Sequence, residues 1–275
     1  MLALLSTLSW MSAADTALSL MTFNLRYGTA ADGDNAWPHR KETLVNAIKQ
    51  SSPDIIGVQE CLVFQAEYIA NTLPEYHWLG IGREADGGGE MAAVFYRKNL
   101  LNPVETDHFW LSETPGVPGS RSWDTACTRM ATHVRFWHRK TGLFFDVLNT
   151  HLDHESEAAR VNGCALILSR ANGLPKNAPV IVMGDFNADA EHSAPWNACI
   201  EAGFADSWLA ARQRVGPEIT HGGFHAPNPG QKSRIDWILV RGPIQVEQCE
   251  TVVYHENGRY PSDHFPVLAR ITIAK

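Results

Sequence analysis

Val180-Ile181-Val182-Met183 is an apolar run that stops at Gly184-Asp185-Phe186-Asn187. Gly, Asp and Asn all favour turns, so the stretch reads equally well as the plain end of a strand. Its chemical reading is a carboxylate, Asp185, that takes a proton from water, beside an amide, Asn187, that hydrogen-bonds a phosphoryl oxygen. Ser262-Asp263-His264-Phe265-Pro266-Val267 sets an imidazole next to an acid just before another apolar run. A protonated His264 neutralises charge growing on a transferring phosphoryl group, although a lone histidine is more often structural. The balance shifts with Arg234-Ile235-Asp236-Trp237-Ile238, because an acid set between Ile235 and Trp237 is costly to bury without a partner. An imidazolium is a sensible partner, as in Asp–His orienting pairs.

Further donors follow other apolar runs. Gln59-Glu60 succeeds Ile55-Ile56-Gly57-Val58 and offers a carboxylate at the end of a buried strand. Mg²⁺ takes one or two protein carboxylates and keeps its waters and substrate phosphate, so Glu60 suits a hard cation. The plainer reading is a helix-capping or solvated Glu. Asn24, after Met21-Thr22-Phe23, adds a neutral oxygen. Thr150-His151-Leu152-Asp153-His154 closes the run from Phe144 to Asn149. Its H-x-x-H spacing lacks further thiol or imidazole ligands nearby, which argues against zinc. His151 reads instead as a phosphate hydrogen-bond donor, with Asp153 and His154 as solvated loop residues. Arg26, His39 and Arg129 lie near these stretches and either contact phosphate or form surface ion pairs, the second being the commoner fate. Trp37, Trp110 and Trp123 either line a substrate pocket or belong to the core.

The elements that must position these groups are legible in outline. Leu18 to Leu25, Asp54 to Gln59, Met91 to Tyr96, Ala131 to Trp137, Leu143 to Asn149, Val180 to Met183, Ile235 to Val240 and Val267 to Ile273 read as strands. Helical spacing covers Pro38 to Gln50, Phe64 to Leu73 and Glu157 to Ala171, with Pro53 and Pro74 as stops. Strands outnumber helices and the connections are uneven, which predicts an α/β fold with mixed sheets rather than a regular parallel series. Asn24, Glu60, His151 and Asp185 all fall at or just after the end of an apolar strand. Asp236 lies inside one, and Asp263-His264 precedes another. Polar groups at strand ends converge on one rim of a sheet, so these motifs predict a single pocket.

Composition narrows the substrate. The 275 residues are 44% hydrophobic, with no linker, charge block or repeat, and one domain is expected over 15–275. A net charge of −7 without any basic run argues against coating duplex DNA and toward a small or restricted phosphorylated substrate, while leaving room for a local basic pocket. The five cysteines are scattered and odd in number, and read as small buried apolar residues. Residues 1–14 form a short apolar stretch with small residues at Ser12 and Ala14, like a secretory cleavage site, but without a basic start. The expectation is a signal peptide and a secreted or periplasmic protein. The alternative is a disordered N-terminus on a cytoplasmic one. The stretch is too short to span a bilayer.

In this order, Thr22-Phe23-Asn24, Gln59-Glu60, Thr150-His151, Gly184-Asp185-Phe186-Asn187, Arg234-Ile235-Asp236-Trp237 and Ser262 to Val267 resemble the endonuclease/exonuclease/phosphatase superfamily from about Leu18 to Lys275. The resemblance implies a four-layer α/β sandwich like that of pancreatic-type deoxyribonuclease, with two packed mixed β-sheets flanked by helices. It implies that Glu60, helped by Asn24, positions Mg²⁺ or Mn²⁺, with Asp263 at or near the metal. Asp185 would activate the attacking water, Asn187 hold it or the phosphate, and His264 stabilise the phosphoryl transition state, oriented by Asp236. His151 stands where apurinic endonucleases of the superfamily often carry Tyr, which points away from base-excision repair. Leu111 to Pro115, Ser122 to Asp124 and Arg129 resemble stretches of bacterial members. The implied activity is divalent-metal-dependent hydrolysis of phosphate esters, as a phosphodiesterase or phosphatase. Nucleotides, RNA ends, sugar phosphates and phospholipid headgroups all stay open as substrates of a monomer. A secreted nuclease is the alternative. A non-catalytic binding protein is the third reading, although it should have lost Asp185, His264 or Glu60.

Overall fold

The computed structural model describes residues 15–274; the signal-like stretch 1–14 lies outside the described residues, as does Lys275. In chain order the first elements are β1 (Thr16–Asn24), α1 (Trp37–Ser51), β2 (Ile55–Cys61), α2 (Val63–Thr72), β3 (Tyr76–Leu79), β4 (Met91–Arg97) and β5 (Leu101–Trp110). There follow β6 (Met130–His138), β7 (Phe144–His151), α3 (Glu157–Asn172), β8 (Val180–Asp185), α4 (Ala194–Glu201), β9 (Ala205–Asp206) and α5 (Ser207–Ala210). The last are β10 (Gln213–Val215), β11 (Asp236–Arg241), β12 (Ile244–Thr251) and β13 (Val267–Ile273). The strands form a seven-stranded sheet, β10-β12-β13-β1-β2-β4-β3, and a six-stranded sheet, β5-β6-β7-β8-β11-β9. Both are mixed: β1 is parallel to β2 and β7 to β8, while β13 and β11 run antiparallel to their neighbours.

The period of two along each strand decides what each side chain meets. Leu18 and Leu20 of β1, Phe145 and Val147 of β7, Ile181 and Met183 of β8, and Ile238 and Val240 of β11 join in one core between the sheets. The alternate residues Met21, Phe23, Ile56 and Val58 pack on α1 and α2 through Leu44, Ile48, Ala66 and Ile69. On the other flank Leu148, Val182, Trp237 and Leu239 cluster with Cys164, Ile167 and Leu168 of α3. The layers therefore run helix, sheet, sheet, helix: a four-layer sandwich whose central strands are apolar on both faces. All five cysteines are free thiols.

Elements without a counterpart in the sequence reading are mostly edges. β5 carries exposed Val104, Glu105 and Thr106 at its centre and a register shift after Pro103, as an edge strand tolerates. In β12 a bulge between Val246 and Gln248 breaks the apolar alternation.

The inter-sheet core turns polar just beneath the rim. Gln59 Nε2 donates to Asn149 Oδ1 at 2.7 Å and to Thr22 Oγ1 at 3.1 Å. Asn149 Nδ2 donates in turn to the carbonyls of Val58 at 2.9 Å and Ala93 at 2.8 Å. All three side chains are buried, and they tie β7 to β2 and β4 of the opposite sheet. Gly57 makes the contact possible, since a Cβ there would lie 2.7 Å from Asn149 Oδ1. Asn149→Leu removes three of these buried bonds, and a loss of about 2–3 kcal/mol is expected. It should read as a lower urea midpoint at unchanged slope. An unchanged midpoint would mean that the bridge adds nothing to stability.

Candidate active site

In four strands the inward-facing position nearest the rim is polar. It is Asn24 in β1, in phase with Leu18 and Leu20, and His151 in β7, in phase with Phe145 and Val147. In β8 it is Asp185, and in antiparallel β11 it is Asp236, whose register partner is Asp185. His151 is the register partner of Asp185 on the other side. Gly184 permits this approach, because a Cβ there would lie 2.1 Å from the carbonyl oxygen of Thr150. Glu60 is out of phase, since Gln59 is the residue that shares a face with Ile55 and Gly57. A register shift between Val58 and Cys61, with Glu60 at φ 54°, turns its carboxylate to the rim. Arg26 and Asn187 also sit at positive φ, 56° and 47°. Such backbone costs on the order of 1–3 kcal/mol for a residue like Glu or Arg and less for Asn, so the packing at the rim must hold it in place.

His264 arrives from the loop before β13. Ser262 Oγ donates to the carbonyl of Asn24 at 2.7 Å, and the amides of Gly222 and Gly223 donate to the carbonyl of Asp263 at 2.8 and 2.9 Å. Arg40 secures the same corner. It is fully buried, and it donates to the carbonyls of Leu25 and Pro261 at 2.7 Å, Arg26 at 2.8 Å and Asn35 at 2.9 Å. Burial pulls its guanidinium down to about 10.

Asp185 is the centre of the constellation. Its Oδ1 accepts the Asn187 amide at 2.9 Å, and its Oδ2 accepts Asn24 Nδ2 at 2.9 Å. His151 Nε2 lies 3.4 Å and His264 Nε2 3.8 Å from the same oxygen. The expected Asp236 pair is present: His264 Nδ1 stands 2.9 Å from Asp236 Oδ2. Asn187 Nδ2 is held by the Leu152 carbonyl at 3.0 Å and lies 3.1 Å from His151 Nε2. Burial, followed by the charge of Asp236, pushes the Asp185 carboxyl up to about 7. Burial opposes charge on His264 too, but Asp236, Asp185 and Asp263 outweigh it and raise the imidazole to about 10. His151 goes the other way. Burial, then Arg129 and Arg83, lower it well below 6.5 and keep the ring neutral.

Asn24, expected to offer its amide oxygen to a metal, stands between the acids, and that oxygen uses one of its two lone pairs on a backbone amide. Its Oδ1 accepts the Arg26 amide at 2.9 Å, while its Nδ2 spaces Glu60 Oε1, at 3.0 Å, from Asp185. Glu60 Oε2 accepts the Tyr27 amide at 3.1 Å. Two carboxylates thus share one amide donor, and Asp263 adds a third acid to the same cleft. Hard oxygen donors at an open wall fit Mg²⁺ or Mn²⁺ held by one or two carboxylates, with water and substrate filling the remaining positions.

Of the expected site residues, all but Asn24 and Asp236 line one cleft of about 530 Å³, and those two lie buried beneath it. Arg26 is forked onto Asp32 at 2.9 and 3.1 Å and stands 3.7 Å from Asp263. Arg129 is buried in the cleft lining, against His154 at 2.9 Å. Asp153, read as a solvated loop residue, is instead buried. It accepts from Thr125 Oγ1 and from the amides of Ala126, Glu155 and Ser156, and although burial opposes its charge these bonds hold it down at about 2. Trp37 and Trp110 belong to the core, and Trp123 and His39 stay out of the cleft. Sequence reasoning missed Tyr27, Arg83, Glu90, Cys127 and His221 in the cleft lining. The run Gly87-Gly88-Gly89 marked a turn beside Glu90, but nothing local marked its partner.

The profile of the Endonuclease/Exonuclease/phosphatase family matches residues 21–264, which encloses every one of these groups. The chain belongs to that family. Members of the Endonuclease/Exonuclease/phosphatase family are phosphoesterase hydrolases that typically use divalent metals. A family protein of Bacteroides thetaiotaomicron is 32% identical, with a TM-score of 0.88 over 96% of this chain and 97% of that one. A mannosyl-6-phosphatase from the same organism is also 32% identical, with a TM-score of 0.85 over 92% of this chain and 99% of its own. Drosophila melanogaster nocturnin is 25% identical over 239 residues, 79% of this chain. The chain spans less than two thirds of the length of the curated relatives it matches, 35% in the case of this nocturnin. Among the described residues no helix is long and apolar enough to cross a membrane.

Proposed function

We propose that the chain is a divalent-metal-dependent hydrolase of phosphate esters acting on small phosphorylated molecules. The observation that carries the reading is Asp185, fixed by two amide donors and flanked by a cationic and a neutral imidazole. Asp185 takes the proton of the attacking water. Asn187, anchored on the Leu152 carbonyl, holds that water or a phosphoryl oxygen beside it. His264 faces the charge that grows on the phosphoryl group, and Asp236 keeps it protonated and oriented. His151 contributes as a neutral hydrogen-bonding ring. Glu60 and Asp263, helped by Asn24, would hold Mg²⁺ or Mn²⁺, which supplies Lewis-acid polarisation and charge neutralisation when bound. Similarity to a mannosyl-6-phosphatase over nearly the whole chain supports a small substrate, as does the net charge of −7.

Hydrolysis should appear with Mg²⁺ or Mn²⁺ in a panel of sugar phosphates, nucleotides, dinucleotides, short RNA and a phosphocholine lipid. Excess chelator should abolish it, and either ion should restore it. Full turnover in chelator would rule out the metal-dependent reading. Turnover confined to long nucleic acid would overturn the small-substrate part.

A further inference from the structure

One wall of the cleft enters the chemistry assigned above only through its charge, in that Arg83 and Arg129 help keep His151 neutral. Between β3 and β4 the chain makes a glycine-rich hairpin whose base is the backbone bond from Arg83 N to Glu90 O at 3.0 Å. There the Arg83 guanidinium grips Glu90 through two parallel bonds of 2.8 Å. Trp110 Nε1 donates to the Arg83 carbonyl at 2.6 Å and fixes the hairpin to β5. Arg129, 5% exposed, and His154 continue this wall. The wall adjoins the reacting centre, since Glu60 acts on Glu90 and both guanidiniums act on His151.

An exposed ion pair adds little stability, and a partly buried one costs desolvation that its attraction barely offsets. Burial pushes the Glu90 carboxyl up despite its partner, so the pair is an expensive way to close a hairpin. Its position in the cleft suggests a different use. Each Glu90 oxygen keeps a free lone pair, and each terminal nitrogen of Arg83 keeps a second hydrogen, so acceptors and donors stand side by side.

We propose that Arg83 and Glu90, with Arg129 beside them, form a subsite for the hydroxyl groups of an uncharged sugar or other polyol carried by the phosphate. The assignment rests on the phosphoester-hydrolase reading and names its leaving group. Charge balance decides against a second phosphate: Arg83 and Arg129 are already matched by Glu90 and by Asp153, 3.7 Å from Arg129. A nucleobase would want an aromatic platform. Tyr27, whose amide donates to Glu60, is the one Phe, Tyr or Trp among the lining residues, and Arg83, Glu90 and Arg129 offer none. Adjacent hydroxyls, each donor and acceptor at once, match a mixed wall of this kind.

The test compares kcat/KM for a hexose 6-phosphate, a hexose bisphosphate and phenyl phosphate, the last having no hydroxyl to read. Wild type should favour the hexose monophosphate over both. Glu90→Gln and Arg83→Gln should each lower the ratio of hexose phosphate to phenyl phosphate about 10–100-fold, mainly through KM, as loss of a charged hydrogen bond does. A merely structural role would lower both substrates together and leave the ratio unchanged, which would overturn the subsite while the hydrolase reading stands. Preference for the bisphosphate would overturn it as well. Silence of wild type on all three esters, with metal supplied, would overturn the hydrolase reading on small esters and the subsite with it.

Discussion

Asp185→Asn should lower turnover about 10²–10⁴-fold, the range expected for loss of a general base. Asparagine has the same shape and keeps an oxygen for the Asn187 amide, which reaches Asp185 at 2.9 Å in the wild type. What it loses is the capacity to take a proton, together with one acceptor for Asn24. The pH dependence gives a second signature. Burial and Asp236 raise the Asp185 carboxyl to about 7 in the metal-free protein, and a cation bound at Glu60 would lower it from there, so the wild-type rate should rise along an acid limb at or below that pH as the base ionises. The residual activity of the variant should lack this limb. Stability of the metal-free protein runs in the opposite sense. A carboxyl raised from 3.8 binds its proton more tightly folded than unfolded, so its contribution to stability is lost as pH rises from 3.8 through 7. The variant should therefore melt with a weaker pH dependence across that window. Initial rates across the neutral range and thermal melts across the whole window from 3.8 to 7 check both. Near-normal turnover in a folded variant would remove Asp185 from the role of base.

His264→Ala should cost about 10²–10³-fold in kcat, as for loss of one electrostatic stabiliser of a developing charge. The more discriminating variant is Asp236→Asn. The Asp236 carboxylate, 2.9 Å from Nδ1, is the foremost of the groups that raise His264 to about 10 against its burial. Without that charge burial gains ground, the imidazole loses its proton at a lower pH, and the alkaline limb of the rate should move toward neutrality. Asp236 acts through His264 and is a positioning residue, so the shift of the limb is its signature. A variant slowed equally at every pH would show that Asp236 serves structure alone.

Much of the site was legible because it is written locally. The phase Leu18-Leu20-Thr22-Asn24, Phe145-Val147-Asn149-His151 and Ile181-Met183-Asp185 assigns each polar residue to the face of its apolar predecessors. A strand that ends on such a residue delivers it to the rim whatever its neighbours are. The helices α1, α2 and α3 and the central strands were readable for the same reason. The edge strand β5 and the bulged strand β12 were not, because bulges and exposed centres erase the alternation. Glu60 shows the boundary within one element. The sequence marks it as a strand-end acid, but its phase is wrong, and only the bulge that pairs β2 to β4 aims it inward.

The groups that escaped the sequence owe their character to sets of partners that join near neighbours to residues distant along the chain. Asp153 looks like a loop acid until Thr125 and three amides close around it, and Arg40 like a helix-surface cation until four carbonyls do. Asn24 lies 161 positions from the Asp185 it orients, and the displaced pKa values of Asp185, His151 and His264 arise from burial together with such neighbours. Sequence alone therefore determined which residue types stand at the strand ends, since a period of two is a property of the strand itself. Which of them touch, and with what charge, only the packing of two sheets decided, because Coulomb and desolvation energies depend on distance in space and not along the chain.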